Sequence, residues 1–326
     1  MVALSSSPAA AVPASDIDPA LVDHALGVTR AAAVAAADWA GRGDRMAADA
    51  AATAAMRTAF QDVPVGGNVI SGEGAKDAAP GLADGELVGC GSSAMFDLAV
   101  DPLEGTDLCA GGLEGALSTL ALAPAGAMWV PGPAFYMDKL IAPAPARGAA
   151  HLRDAPERIV AAVAEALGHR PRELRVIILD KPRHAELIAR VRATGAAVST
   201  PAAGDVAGAL QVLLPDGDAD LLLGIGGAPE GLLAACAARA LGGEMQGRVA
   251  PQRADERAAV AAAGMDCDRV LDLENLVAAD AVFLATGVTG GLLPAPRRSG
   301  DWVVTSSLVI QAGSVRYLID HHLTRE

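Results

Sequence analysis

"MFDLAVDPLEGT", residues 95–106, runs an apolar segment into two carboxylates, Asp101 and Glu104, set around a proline and followed at once by a Gly-Thr pair. The apolar part reads as a buried strand. A buried strand ending in acids that repel one another costs free energy unless a cation, a proton or a basic side chain neutralises them. Pro102 stiffens the chain where the strand ends, the Leu103 carbonyl offers a third oxygen, Gly105 permits close approach, and the Thr106 hydroxyl can position water. Hard cations such as Mg²⁺ or Mn²⁺ take oxygen ligands of this kind and share them with substrate phosphate. Zinc is disfavoured, because no HExxH or CxxC pattern occurs.

Before this stretch, "PALVDHALGVTRAAAVAAADWAGRG" reads as a helix from about Pro19, and "DRMAADAAATAAMRTAF" as a second helix entered at Asp44. Short β-like runs punctuated by glycine surround it: "NVISGEG", "ELVGCG", "ALSTLALAP", "AMWVPGP" and "YMDKLIAP". A helical pair followed by strands predicts an α+β domain over 19–148, after a disordered tail at 1–18. Beyond it helix and strand alternate: "APERIVAAVAEALG", "LRVIILD", "PRHAELIARVRATG", "DVAGALQVLL", "ADLLLGIGG" and "PEGLLAACAARALGG". That rhythm predicts an α/β domain over 149–326, with ligands near the carboxyl ends of its strands, closing in a hairpin that turns near Gly313. The fold class is therefore α+β followed by α/β.

Composition sets outer limits. The chain of 326 residues is 52% hydrophobic but only 3% aromatic, so its apolar character is largely alanine in helices. The longest uncharged stretches are broken by proline and glycine, and no transmembrane segment is read. A formal net charge of -14 argues against a nucleic-acid binder, since phosphate backbones need a basic face. Cys90, Cys109, Cys236 and Cys267 form no paired motif and read as reduced thiols. The N-terminus lacks the basic and continuous apolar regions of a signal peptide, so a cytoplasmic location is expected.

Further acids stand where elements meet glycine or proline. Taken singly, Asp49 reads as a solvated helix acid, Glu73 in "SGEG" as a turn residue, and Glu230 in "GGAPEG" as an acid favouring a helix N-terminus. "ILDKPRH" puts Lys181 and Arg183 at a strand end, either as an anchor for phosphate or as exposed cations bonded to surface acids. Tyr136 is either a ligand contact or a core residue with a wet hydroxyl. His184 reads as a helix-surface residue or a support behind the site, not as a base. "GIGGAPEG" lacks both the GxGxxG spacing and the Lys-Ser/Thr ending of nucleotide loops, so an ATPase is rejected.

"WAGRGD", "GEG", "DPLEGT", "FYMDKLI", "DKPRH", "GIGGAPEG" and "ATGVTGG" occur together in one order. In these motifs the chain, from about His24 to the terminal hairpin, resembles the class II, bacterial-type fructose-1,6-bisphosphatases of the lithium-sensitive, metal-dependent sugar and inositol phosphatase superfamily. The resemblance implies a layered sugar-phosphatase fold with the metal site at the interface of two subdomains. It implies metal ligation by Glu73, Asp101, the Leu103 carbonyl, Glu104 and Glu230, with Glu230 arriving from the second domain. Asp49 and Thr106 would act as catalytic residues beside a metal-bound water, and Tyr136, Lys181, Arg183 and Asp205 would contact substrate. The implied cofactor is Mg²⁺ or Mn²⁺. The implied reaction is hydrolysis of the 1-phosphate of fructose-1,6-bisphosphate, in gluconeogenesis.

Three positions depart from the family pattern. Arg45 stands where lysine is expected, Asp107 where Arg or Thr is usual, and Ala203 in "PAAGD" where a sugar-contacting Asp is expected. The alternatives are therefore a paralogue acting on sedoheptulose-1,7-bisphosphate or a specialised-pathway sugar phosphate, and a non-catalytic phosphosugar-binding regulator. The expected partner is a small sugar bisphosphate, with neither nucleic acid nor membrane, in a homodimer or homotetramer as the resemblance implies.

Overall fold

The first helix, α1 (Pro19–Ala37), begins where its cap requires: the Asp18 carboxylate accepts a hydrogen bond from the Ala20 N–H at 2.9 Å, and Pro19 fills the first turn. A computed structural model describes residues 17–73 and 81–323. The expected N-terminal tail lies outside the described residues except at its end, where Ile17 is buried in the core and Asp18 is the cap. Part of the "SGEG" segment also lies outside them.

The second helix, α2 (Arg45–Phe60), starts at Asp44, which accepts from the Ala47 N–H at 3.0 Å. The remaining helices are α3 (Thr106–Gly111), α4 (Pro156–Ala166), α5 (Ala185–Ala193), α6 (Asp205–Leu213), α7 (Ala228–Leu241), α8 (Ala254–Ala262) and α9 (Leu273–Leu276). The strands are β1 (Gly66–Ser71), β2 (Leu87–Val88), β3 (Ala94–Glu104), β4 (Leu117–Pro124), β5 (Tyr136–Ala142), β6 (Arg175–Ile177), β7 (Ala197–Ser199), β8 (Leu221–Gly227), β9 (Glu244–Val249), β10 (Val282–Gly287), β11 (Arg297–Ser299), β12 (Trp302–Gln311) and β13 (Ser314–Leu323).

Among the described residues the strands form two sheets. The larger has eight strands, in the order β11-β12-β10-β4-β3-β1-β2 with β13 paired to β12. The smaller has five, in the order β7-β6-β8-β5-β9. Helices α1 and α2 cover one face of the large sheet, α6 and α7 lie between the sheets, and α4 and α5 cover the outer face of the small one. Each gap is filled by its own apolar cluster, as stacked layers of helix and sheet require. By length and composition α1 could cross a membrane, but Val22, Leu26, Val28, Ala32, Ala33 and Ala36 are buried against α2 and the large sheet.

The mixture of helix and sheet agrees with the expected class, while the order along the chain does not follow two consecutive units. The expected boundary after residue 148 does not separate the sheets: β5, before it, sits between β8 and β9 of the small sheet, and β10 to β13, after it, complete the large one. The parallel set β6, β7 and β8, linked by α5 and α6, has the alternating organisation read from the sequence. Two local expectations change. "AMWVPGP" is not a strand, because the Met128 N–H is bound by the buried Asp97 carboxylate at 3.0 Å and only an isolated bridge to Val277 remains. In addition, β3 does not stop at Asp101 but continues to Glu104 through an irregularity in register with β4.

Candidate metal and phosphate cleft

Strand ends and helix starts converge on one cleft of about 750 Å³. The end of β3 brings Asp101, Leu103 and Glu104, and α3 begins beside them with Thr106. The carboxyl end of β6 leads to Lys181 and Arg183, and that of β8 to Gly226 and Gly227. The starts of α6 and α7 supply Asp205 and Glu230, α2 supplies Arg45 and Asp49, the end of β1 leads to Glu73, and β5 opens with Tyr136. Parallel strands leave their carboxyl ends open between crossovers, which is why residues far apart in sequence meet at this edge.

Asp101, Glu104 and Glu230 each offer an oxygen within 4.8 Å of the others. Glycine makes this approach possible: a Cβ on Gly227 would lie 1.7 Å from Glu230 Oε2, and one on Gly226 the same distance from Asp205 Oδ2. Glu104 Oε1 accepts from the Val206 N–H at 3.0 Å, Asp101 Oδ1 from the Leu103 N–H at 3.0 Å, and the Leu103 carbonyl from the Thr106 hydroxyl at 3.0 Å. Glu230 Oε2 is buried with no hydrogen-bond partner among the described residues. A buried carboxylate oxygen so placed, facing two more acids, fits a hard divalent cation in donor type and in charge.

The electrostatics agree. Enclosure by protein, then repulsion from Glu104, Glu73, Glu230 and Asp49, holds the Asp101 carboxyl well above the usual carboxylate range. Burial, then Glu230 and Asp205, pushes Glu104 up to about 8, against the lowering effects of the Val206 N–H and Lys139. Without a cation these acids retain protons, and a cation would displace them.

Lys139 escaped the sequence reading. It is 1% exposed on β5, and its ammonium donates to Asp205 Oδ2 at 2.5 Å. The signal was the alternation of Met137, Lys139 and Ile141 toward the interior of β5, which puts a cation at an inward position. Because Lys139 is bonded to Asp205, it does not separate Asp101, Glu104 and Glu230 from one another. Asp205 also accepts from the Gly227 N–H at 3.1 Å, so its Oδ2 is already engaged.

Also lining the cleft, Arg183 donates through Nε and Nη2 to the Ile225 carbonyl at 3.1 and 2.7 Å, and its guanidinium lies 5.2 Å from the centre of the Tyr136 ring. Among the described residues neither Lys181 nor Arg183 has a carboxylate partner. His184 is not on a helix surface: it is 2% exposed, in the short 3₁₀ turn that precedes α5. Ala203 lines the cleft, two residues before Asp205, and brings no polar side chain to it.

The family described as "Bacterial fructose-1,6-bisphosphatase, glpX-encoded" matches this sequence over residues 20–322. The chain is 41% identical over 302 residues to a protein of Haemophilus influenzae named fructose-1,6-bisphosphatase class 2, covering 88% of this chain and 90% of that one. It is 39% identical over the same length, with the same coverage, to fructose-1,6-bisphosphatase 1 class 2 of Escherichia coli K12. With a match spanning nearly all of its length, the chain belongs to the glpX-encoded family of bacterial fructose-1,6-bisphosphatases.

Proposed function

We propose that this phosphoric monoester hydrolase removes the 1-phosphate of fructose-1,6-bisphosphate with the help of Mg²⁺ or Mn²⁺. The observation that carries this reading is a single cleft whose lining includes both a carboxylate cluster, Asp101, Glu104 and Glu230, and the cations Lys181 and Arg183, which have no carboxylate partner among the described residues. Glu73, Asp101, Glu104, Glu230 and the Leu103 carbonyl would hold the metal. When bound, divalent cations would supply Lewis-acid activation of water and neutralisation of charge on the phosphate. Asp49, on α2, would accept a proton, and Thr106 would orient the attacking water through its hydroxyl. Tyr136, Lys181 and Arg183 would grip the phosphate that is not cleaved, and Asp205, fixed by Lys139, would face the sugar. Family membership supports the substrate, since both named relatives carry it in their names. In this reading the metal would be held at the interface of two subdomains.

Release of inorganic phosphate from a panel of sugar phosphates, with Mg²⁺, Mn²⁺ or a chelator, tests the reading. Metal-dependent turnover of fructose-1,6-bisphosphate is expected, and its absence sinks the assignment. A cytoplasmic setting accords with four free thiols, and a homodimer or homotetramer is part of the same reading.

A second substrate is favoured by Ala203. A carboxylate facing sugar hydroxyls discriminates between sugars, because a polar group left without its partner costs about 1–3 kcal/mol. With alanine there, selectivity over sedoheptulose-1,7-bisphosphate is expected to be weak, and Ala203→Asp to sharpen it. Comparison of kcat/KM on both bisphosphates decides; a strongly fructose-selective parent that the substitution leaves unchanged makes the missing acid irrelevant.

A further inference from the structure

His184 stands behind the basic wall without lining the cleft. Its Nε2 accepts a hydrogen bond from the Ile225 N–H at 2.8 Å, and its Nδ1 lies 2.8 Å from the Leu179 carbonyl. A backbone N–H can only donate, so Nε2 is bare. Nδ1 therefore carries the proton and donates it to Leu179, which makes the ring a neutral imidazole with one tautomer. The contact is tight, since a Cβ on Gly224 would lie 2.9 Å from Nε2, and Gly224 has a φ of +120°. The backbone of Ile225 is thus held on both sides of its Cα: the N–H of the peptide before it by His184 and the carbonyl of the peptide after it by both Nε and Nη2 of Arg183. Leu179 precedes Lys181 and Arg183 on the loop after β6, and Ile225 belongs to β8, so one buried ring ties together the two strand ends that form the basic wall.

We propose that His184 is a positioning residue that fixes Arg183 for phosphate binding by anchoring the Ile225 backbone, whose carbonyl Arg183 binds. The inference rests on reading Arg183 as a grip for the uncleaved phosphate. Without the clamp the Ile225 carbonyl is free to shift, and the guanidinium loses the acceptor that sets its plane over Tyr136. The reacting phosphate, at the carboxylate wall, is not touched by this arrangement.

Two amide variants separate the halves of the clamp. In His184→Gln the side-chain oxygen reaches the place of Nε2 and can accept from Ile225. In His184→Asn the shorter amide reaches only the place of Nδ1, keeps the Leu179 bond and loses the clamp. In the metal-loaded full-length enzyme, His184→Asn is expected to raise KM for fructose-1,6-bisphosphate roughly tenfold, the effect of one lost buried hydrogen bond, with kcat changed by less than about twofold. Hydrolysis of p-nitrophenyl phosphate should be unchanged, His184→Gln should lie near the parent, and His184→Asn should add nothing in an Arg183→Ala background. Equal slowing on both substrates, equal behaviour of Asn and Gln, or full additivity with Arg183→Ala overturns the proposal. If Arg183→Ala alone leaves KM unchanged, the phosphate reading falls, and this inference with it; that outcome is recognised from the single variant. Should His184→Asn fold poorly, nitrogen NMR of the parent still decides: an Nε2–H ring or an imidazolium at neutral pH overturns the clamp.

Discussion

Arg45 Nε lies 2.9 Å from Asp107 Oδ1 across the mouth of the cleft, joining the first turn of α2 to the first turn of α3. These are two of the three positions expected from the sequence to depart from the family pattern, and in the fold they are partners. Their side chains are 61% and 57% exposed, so the pair contributes little to stability, as exposed ion pairs generally do. Its consequence is electrostatic, because Asp107 puts a negative charge beside the entry path of an anionic substrate and occupies Arg45.

Asp107→Asn is accordingly expected to lower KM for the bisphosphate by about two- to fivefold at low ionic strength, with the advantage fading at high salt as screening sets in. The melting temperature should barely move. Kinetics at two salt concentrations check this, and an unchanged KM at low salt removes Asp107 from any part in substrate entry.

Lys139→Met should be severe, because it leaves the Asp205 carboxylate buried and uncompensated. Removing one partner of a buried pair costs about 3–5 kcal/mol, and here the ammonium and carboxylate are 1% and 9% exposed. Adding Asp205→Asn should recover part of that loss. Denaturant unfolding of the single and double variants in chelator measures both effects; a loss below about 1 kcal/mol for Lys139→Met would mean that the pair is not held as described.

Asp101→Asn and Glu73→Gln are each expected to lower kcat by at least about a hundredfold at saturating metal, while the fold persists. In chelator, Asp101→Asn should melt higher than the parent, because burial and then repulsion from Glu104, Glu73, Glu230 and Asp49 force Asp101 to take up a proton on folding, which the amide need not do. Near-normal turnover in both variants would show that these acids hold no catalytic metal.

Glu104 predicts the pH dependence of the metal-free protein. Its folded pKa of about 8 stands above the ordinary 4.5, so between these values the native state binds the proton and the unfolded chain does not. The contribution to stability is full below about 4.5 and is lost as pH rises through about 8. In chelator the protein should therefore weaken on going from mildly acidic to mildly alkaline pH, and Glu104→Gln should flatten that slope. Unfolding curves across the window test it, and a slope that Glu104→Gln leaves unaltered assigns the proton elsewhere.

Much of this molecule was legible in the chain because it is local. Asp18 and Asp44 cap α1 and α2 from adjacent positions, and the terminal hairpin turns at Ala312 and Gly313, both with positive φ, where the sequence places its glycine. The acids of "DPLEGT" announced a neutralising partner because their spacing alone makes them repel. Tertiary structure decided what depends on segments distant in sequence. The insertion of β5 between β8 and β9, and the return of β10 to β4, follow from which sheet edge could be paired and which apolar face buried, and neither leaves a periodic trace. Lys139 meets Asp205 across 66 residues, Arg45 finds Asp107, and His184 turns inward to Ile225 only once the strand ends are aligned. Residue type and spacing determined which chemistry this protein carries; the packing of two sheets around α6 and α7 decided which of those groups face one another, because charge and hydrogen bonding act over a few ångströms of space and not along the chain.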